Sequence, residues 1–310
     1  MKKAKINAPA GDMNKLKVAL AAGADSVLVG GEGYNIKTTS HSFTREELKE
    51  AVEYTHKLKK ELWVTLDMIP TNNELEGLDS YVEFLDEIGV DGVIISDLGV
   101  FQVVKEYSDL KISVSTQSSN TNWRSVKMWY KLGARRVVLA REISIKNIAE
   151  IRENVPEMEL EIHAHGAMCM ASSGRSLLSS YMSTKEVTKS EDENWKFSIE
   201  EETRPGEYMP VYEDEHGTHI FHSRDLCTIE YLDEILKLGV DHLNIEGRMM
   251  DEKYLETTVS IYREAVEAYY GDGEYKYKPE WLTKLQEVAP RGYTAGFYFV
   301  EPGEKTKDYN

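Results

Sequence analysis

Four segments of the chain are built to one rule: AAGADSVLVG, EIGVDGVIIS, KLGARRVVLA and KLGVDHLNIE each pass from a helix end through a glycine into an apolar strand. Glycine accepts the left-handed conformation that closes a helix and turns the chain back, so the rule predicts helix, turn and strand in succession. The pattern starts early. AKINAPA, MNKLKVALAAG and DSVLVGG read as strand, helix and strand, and EELKEAVEYTHKLKK followed by ELWVTLDM gives the next pair. Counting KINAPA, SVLVGG, LWVTLD, GVIISD, ISVSTQ, RVVLAR, LEIHAH and HLNIEG gives about eight strands, the number required by a TIM-type (β/α)8 barrel. A doubly wound open sheet shares the alternation, but no GxGxxG opens a helix. The expected fold is the barrel.

The barrel is expected to occupy residues 1–275, interrupted at about 183–218 by the polar, acidic run STKEVTKSEDENWKFSIEEETRPGEYMPVYEDEHGT. This is an insertion after the seventh strand, at the end of the barrel where such folds place their chemistry. Residues 276–310 are expected to pack on the barrel, with PEWLTKLQEV as a helix and RGYTAGFYFV as a final strand.

A formal charge of −17 and a pI near 5.0 oppose long-range attraction to phosphate backbones and anionic membranes, which makes direct RNA binding doubtful unless a basic cleft survives locally. The two cysteines are too few for a disulfide framework, and MKKAKINAPAGD lacks the apolar core of a signal peptide. No window approaches the roughly 18 uninterrupted apolar residues of a membrane span. A cytoplasmic, reduced protein is expected.

The segment EIHAHGAMCMASSGRSLLS carries the densest chemistry. Alternate strand residues share a face, so Glu161, His163 and His165 are expected to project together, with Cys169 in the loop that follows. Polar residues gather at other strand ends: Gln117 and Asn120, Arg141 and Glu142, Asp225, and Glu246 with Arg248. The two arginines suit a carboxylate or phosphate, because a guanidinium is a planar two-pronged donor. Thiolate and imidazole are zinc or iron ligands, and Glu161 can ligate or act as a base. Equally, histidines on strands are ordinary hydrogen-bonded core residues, and the chain has neither a CxxC pair nor HExxH.

HGAMCMASSGRSLLS resembles the signature of peptidase family U32, the collagenase-like protease family, whose usual form is HGAMC, a short gap, SGRC and LLS. APAGDMNKLKVALAAGAD, STQSSNTNW, VVLAREIS, RPGEYMPVYEDEHGTHIF, SRDLC, IEGRM and RGYTAGFYF are similar to further family blocks, so the resemblance runs nearly end to end. It implies a TIM-like barrel and two accounts of activity: peptidase action, and oxygen-independent hydroxylation of tRNA, ribosomal RNA or a quinone precursor. Hydroxylation members generally hold an iron–sulfur cluster on cysteines, and the RNA-acting ones are associated with prephenate as hydroxyl source. Residues in the matching blocks are the substrate-binding candidates: Gln117, Asn120, Arg141, Arg175, Asp225 and Arg248.

The chain departs from that pattern at functional positions. Ser176 replaces the cysteine of SGRC, TKSEDENWKF replaces a cysteine-bearing segment, IKT replaces LRA at 36–38, and Asn244 replaces the lysine of KIEGR. Longer relatives also carry a C-terminal module, for which no counterpart is expected here. Only Cys169 and Cys227 remain, whereas a cubane cluster takes four thiolates. Histidines are gained: His163 stands where relatives tend to have an aromatic residue, and His216, His219 and His222 occupy positions often not histidine. Strand period places His219 and His222 on opposite faces. One expectation is therefore a mononuclear zinc or iron site drawn from Cys169, Cys227, His163, His165 and His219; another is an iron–sulfur cluster shared with a partner chain.

Three functions follow. The first is an RNA-modification type hydroxylation enzyme, or its cysteine-poor subunit working with a cysteine-complete U32 paralogue or by self-association. The second is a metal-dependent peptidase with Glu161 or Glu246 as base and His165 assisting. The third is a non-catalytic barrel scaffold.

Overall fold

Eight parallel strands close on themselves in a computed structural model that describes residues 2–31, 33–34, 42–173, 197–200, 202, 206, 208–214, 217–271, 275–300 and 309. They are β1 (Lys5–Ala10), β2 (Ser26–Gly30), β3 (Glu61–Leu66), β4 (Gly92–Ile95), β5 (Lys111–Val114), β6 (Arg136–Val138), β7 (Glu159–Gly166) and, after the insertion, β13 (His242–Ile245). Each pairs in parallel with the next, and β13 pairs with both β7 and β1, so no barrel edge is open. These are the eight strands expected.

Between them run α1 (Met13–Ala21), α2 (Arg45–Lys57), α3 (Leu78–Glu87), α4 (Leu98–Tyr107), α5 (Trp123–Leu132) and α6 (Ile145–Asn154). The glycine rule holds in the backbone: Gly23, Gly89, Gly133 and Gly239 all take positive φ, satisfying the helix ends before the chain enters a strand. Starts are equally local. Thr44 caps α2 by accepting from Glu47 N, while the Glu47 carboxylate accepts from Thr44 N, the reciprocal box that satisfies two otherwise orphan donors.

The inserted stretch contributes β8 (Cys169–Ser173), β9 (Phe197–Glu200), β10 (Tyr208–Asp214) and β11 (Gly217–Phe221), an antiparallel sheet in the order β8-β11-β10-β9. Cys169 therefore opens a strand instead of lying in a loop. β12 (Asp225–Cys227) then pairs antiparallel with the end of β7, followed by α7 (Leu232–Lys237). After the long α8 (Glu252–Tyr270), α9 (Pro279–Val288) buries Trp281 and Leu285 against it. The expected last strand is reduced to β14 (Tyr293–Thr294), which pairs with β12. Gly296, at φ +63, turns the chain away immediately afterwards. Among the described residues no helix is long and apolar enough to cross a membrane.

The barrel interior is layered. At its lower level Arg136, 1% exposed, donates to Glu161 at 2.9 Å and lies 4.0 Å from the Trp63 ring centroid. Asn7 and Asn244 donate to the same carboxylate at 2.7 and 2.8 Å. Leu28, Trp63 and Ile94 form an apolar layer separate from the helix-facing core.

Candidate active site at the barrel mouth

A cavity of about 200 Å³ opens above that apolar layer, at the C-terminal ends of the strands. Pro9, Leu28, Ile94 and Val138 supply apolar lining, while Arg141, Arg248, Gln117, His163 and Glu246 supply polar groups. Cys169, His219 and Phe221 enter from the antiparallel sheet, where Phe221 pairs with Cys169. Barrel strands and inserted sheet thus build the site together. His219, rather than His222, reaches it.

The expected common face of Glu161, His163 and His165 is broken by a bulge. Asn244 pairs with His163 and Ile245 with His165, leaving Ala164 as an extra residue in β7. Glu161 and His163 keep the inward period, but His165 is thrown outward beside Ile245 toward α8. The displaced Ala164 carbonyl accepts from Thr228 N at 3.1 Å, Thr228 Oγ1 at 3.0 Å and Tyr262 Oη at 2.8 Å. That hydrogen bonding accounts for the bulge.

His165 consequently sits in a tyrosine-lined compartment behind the pocket, its Nδ1 3.4 Å from Tyr262 Oη and Nε2 3.2 Å from Tyr293 Oη. Burial holds its pKa down to about 3. It joins β7 to α8 and β14, and the expected catalytic role is corrected to a structural clasp. Cys227 lies in the same compartment, fully buried, its thiol pushed up to about 12 by burial. The expected metal set of Cys169, Cys227, His163, His165 and His219 is therefore divided between two compartments and is not one site. Among the described residues, no group of three or more His, Cys, Asp or Glu side chains is placed to hold a metal ion.

Glu161 is corrected too. It lies below the pocket, outside the cavity lining, with three amide and guanidinium donors on its carboxylate. Glu246 does line the pocket, and its Oε1 accepts from Gly247 N and Arg248 N at 3.1 and 3.3 Å. Asp225 lines it as well, paired with Arg291 at 2.5 Å; burial pushes its carboxyl upward. Arg248 donates to Thr65 Oγ1 at 3.3 Å. Asn120 is buried near the mouth without lining the cavity, and Arg175, His216 and 36–38 fall outside the described residues.

Arg291, Asp67, Thr65 and Tyr254 also line the pocket. Arg291 opens the RGYTAGFYFV block, so the block was visible while its contact with Asp225, 66 residues away, was not. Gly166 fixes the mouth: its φ is +105 and a Cβ there would strike the Glu246 carbonyl oxygen. Gly166→Ala should cost about 3 kcal/mol or more, read as a lowered denaturation midpoint; an unchanged midpoint would contradict this packing.

The sequence profile of peptidase family U32 matches residues 11–308. The chain belongs to peptidase family U32. U32 relatives include tRNA hydroxylation protein P1 of Bacillus subtilis (strain 168), 34% identical, with the match covering 97% of this chain and 72% of that protein. tRNA hydroxylation protein P of Escherichia coli (strain K12) is 34% identical, covering 96% and 75%. A collagenase of Porphyromonas gingivalis (strain ATCC BAA-308 / W83) is 27% identical, covering 98% and 76%. The fold matches the solved structure of the U32 peptidase Mk0906, with a TM-score of 0.51, 15% identity, and coverage of 79% of this chain and 93% of that one.

Proposed function

We propose that this U32 protein serves oxygen-independent tRNA hydroxylation as the subunit that binds a small organic acid, working with a cysteine-complete family member. The observation carrying this reading is the pocket itself: Arg141 and Arg248 stand over an apolar floor at the mouth of a closed barrel, on a chain similar along nearly its whole length to tRNA hydroxylation proteins. Guanidinium groups at an enclosed apolar site select a planar oxyanion attached to a carbon frame.

The cluster that the family implies does not fit this chain. Cys169 reaches the pocket, Cys227 is sealed behind Tyr262, and position 176 is serine, against four thiolates for a cubane. Cluster chemistry is therefore assigned to the partner, as is contact with RNA, given the charge of −17. Here the arginines bind and orient the acid, while the Leu28, Trp63 and Ile94 layer closes its floor to water. The peptidase reading keeps Glu246, Cys169, His163 and His219 at the pocket but loses Glu161 and His165 from it.

The test is expression in a bacterial strain lacking its own tRNA hydroxylation proteins, with and without a cysteine-complete relative, followed by mass spectrometry of digested tRNA. Hydroxylated nucleosides should require both chains. Combined Arg141→Met and Arg248→Met should lower them about tenfold or more, the worth of one charge-assisted hydrogen bond. Equal modification by the relative alone would refute the proposal.

A further inference from the structure

We propose that His163 is a specificity-determining residue of the pocket, recognising an uncharged hydroxyl on a carboxylate ligand whose acid group lies against Arg141; this rests on the organic-acid reading. His163 is 5% exposed, lines the cavity, and has no protein hydrogen-bond partner on either ring nitrogen. Arg141 lines the same cavity with its buried Nε also unpartnered. Buried polar atoms are seldom left so, and whatever fills the pocket is what can satisfy them.

The strand position that carries the ring is fixed. Its backbone is pinned by Tyr298, which donates to the His163 carbonyl at 2.7 Å, and by the register with Asn244 before the Ala164 bulge. Burial, reinforced by the Arg141 charge, holds the imidazole well below its usual pKa and therefore neutral. A neutral imidazole offers one donor and one acceptor. A hydroxyl can serve whichever ring nitrogen faces the cavity, donating to the bare nitrogen or accepting from the N–H, whereas a carboxylate can only accept. Leu28 and Ile94 leave room for the ligand's carbon frame between the two polar ends.

Calorimetric titration of the full chain with cyclohexanecarboxylate and its ring-hydroxylated isomers tests this. At least one hydroxy acid should bind wild type about tenfold more tightly than the parent acid, as expected for a buried hydrogen-bonding group that is otherwise unpaired. His163→Phe should reduce that preference to less than about twofold while keeping affinity for the parent acid within about twofold. Arg141→Met should weaken every acid about tenfold or more. If phenylalanine does not pack, His163→Leu reads the same loss. Arg141-dependent binding without a hydroxyl preference, or a preference that survives in the His163 variants, overturns the inference and leaves the organic-acid reading standing. Failure of every acid to bind wild type, or indifference to Arg141→Met, removes that reading and the inference with it.

Discussion

Arg136→Met is expected to destabilise the protein by about 3–5 kcal/mol, the loss that follows when one partner of a buried ion pair is removed. Arg136 and Glu161 are 1% and 0% exposed, and their contact spans 2.9 Å inside the barrel. Without the guanidinium, the carboxylate keeps only neutral side-chain donors, Asn7 and Asn244. The Trp63 ring also loses the cation resting 4.0 Å from its centroid. Adding Glu161→Gln to Arg136→Met should recover much of the deficit, because the uncompensated charge is then gone. Urea unfolding of the single and double variants decides it. A single variant within about 1 kcal/mol of wild type would show that the barrel does not depend on this buried ion pair.

Acid should unfold the protein well before its carboxylates are neutralised. His163, His165 and His242 are buried, and burial depresses all three pKa values. In the unfolded chain they titrate near the ordinary value of about 6.5. Below that pH the unfolded state binds protons that the fold refuses, so stability is complete above about pH 6.5 and falls as pH falls. Each such histidine contributes a slope of about 1.4 kcal/mol per pH unit, and three together up to about 4. Asp225, whose carboxyl burial pushes upward, works in the opposite sense and offsets part of the slope. Denaturant midpoints at pH 7, 6 and 5 should drop in sequence, with a shallower drop in His165→Gln. Flat stability from pH 7 to 5 would mean that these rings are already charged in the fold.

The barrel was legible because its determinants are local. Four glycines end helices at positive φ, and every apolar run counted as a barrel strand is one. Family membership was likewise written in short contiguous blocks. What escaped was tertiary. The Ala164 bulge depends on Thr228 and Tyr262, 64 and 98 residues further on, and no alternation within HAHG reveals it. That single extra residue separated His163, which stays at the pocket with Cys169 and His219, from His165. Glu161 does share a face with His163, but its depth depends on Arg136, Asn7 and Asn244, which come from other strands.

The mouth is made of two sheets with different obligations. Arg141 and His163 belong to the closed barrel, where β6 and β7 are locked on both sides. Cys169 and His219 ride on β8 and β11 of the separate four-stranded sheet. Substitutions on that second sheet can accumulate without disturbing barrel closure, so the chain can shed one chemistry and acquire another while its ancestral scaffold persists. Drift in this lineage is therefore expected to be fastest between 169 and 221 and slowest along β6, which leads to the arginine, and β7, which carries the imidazole.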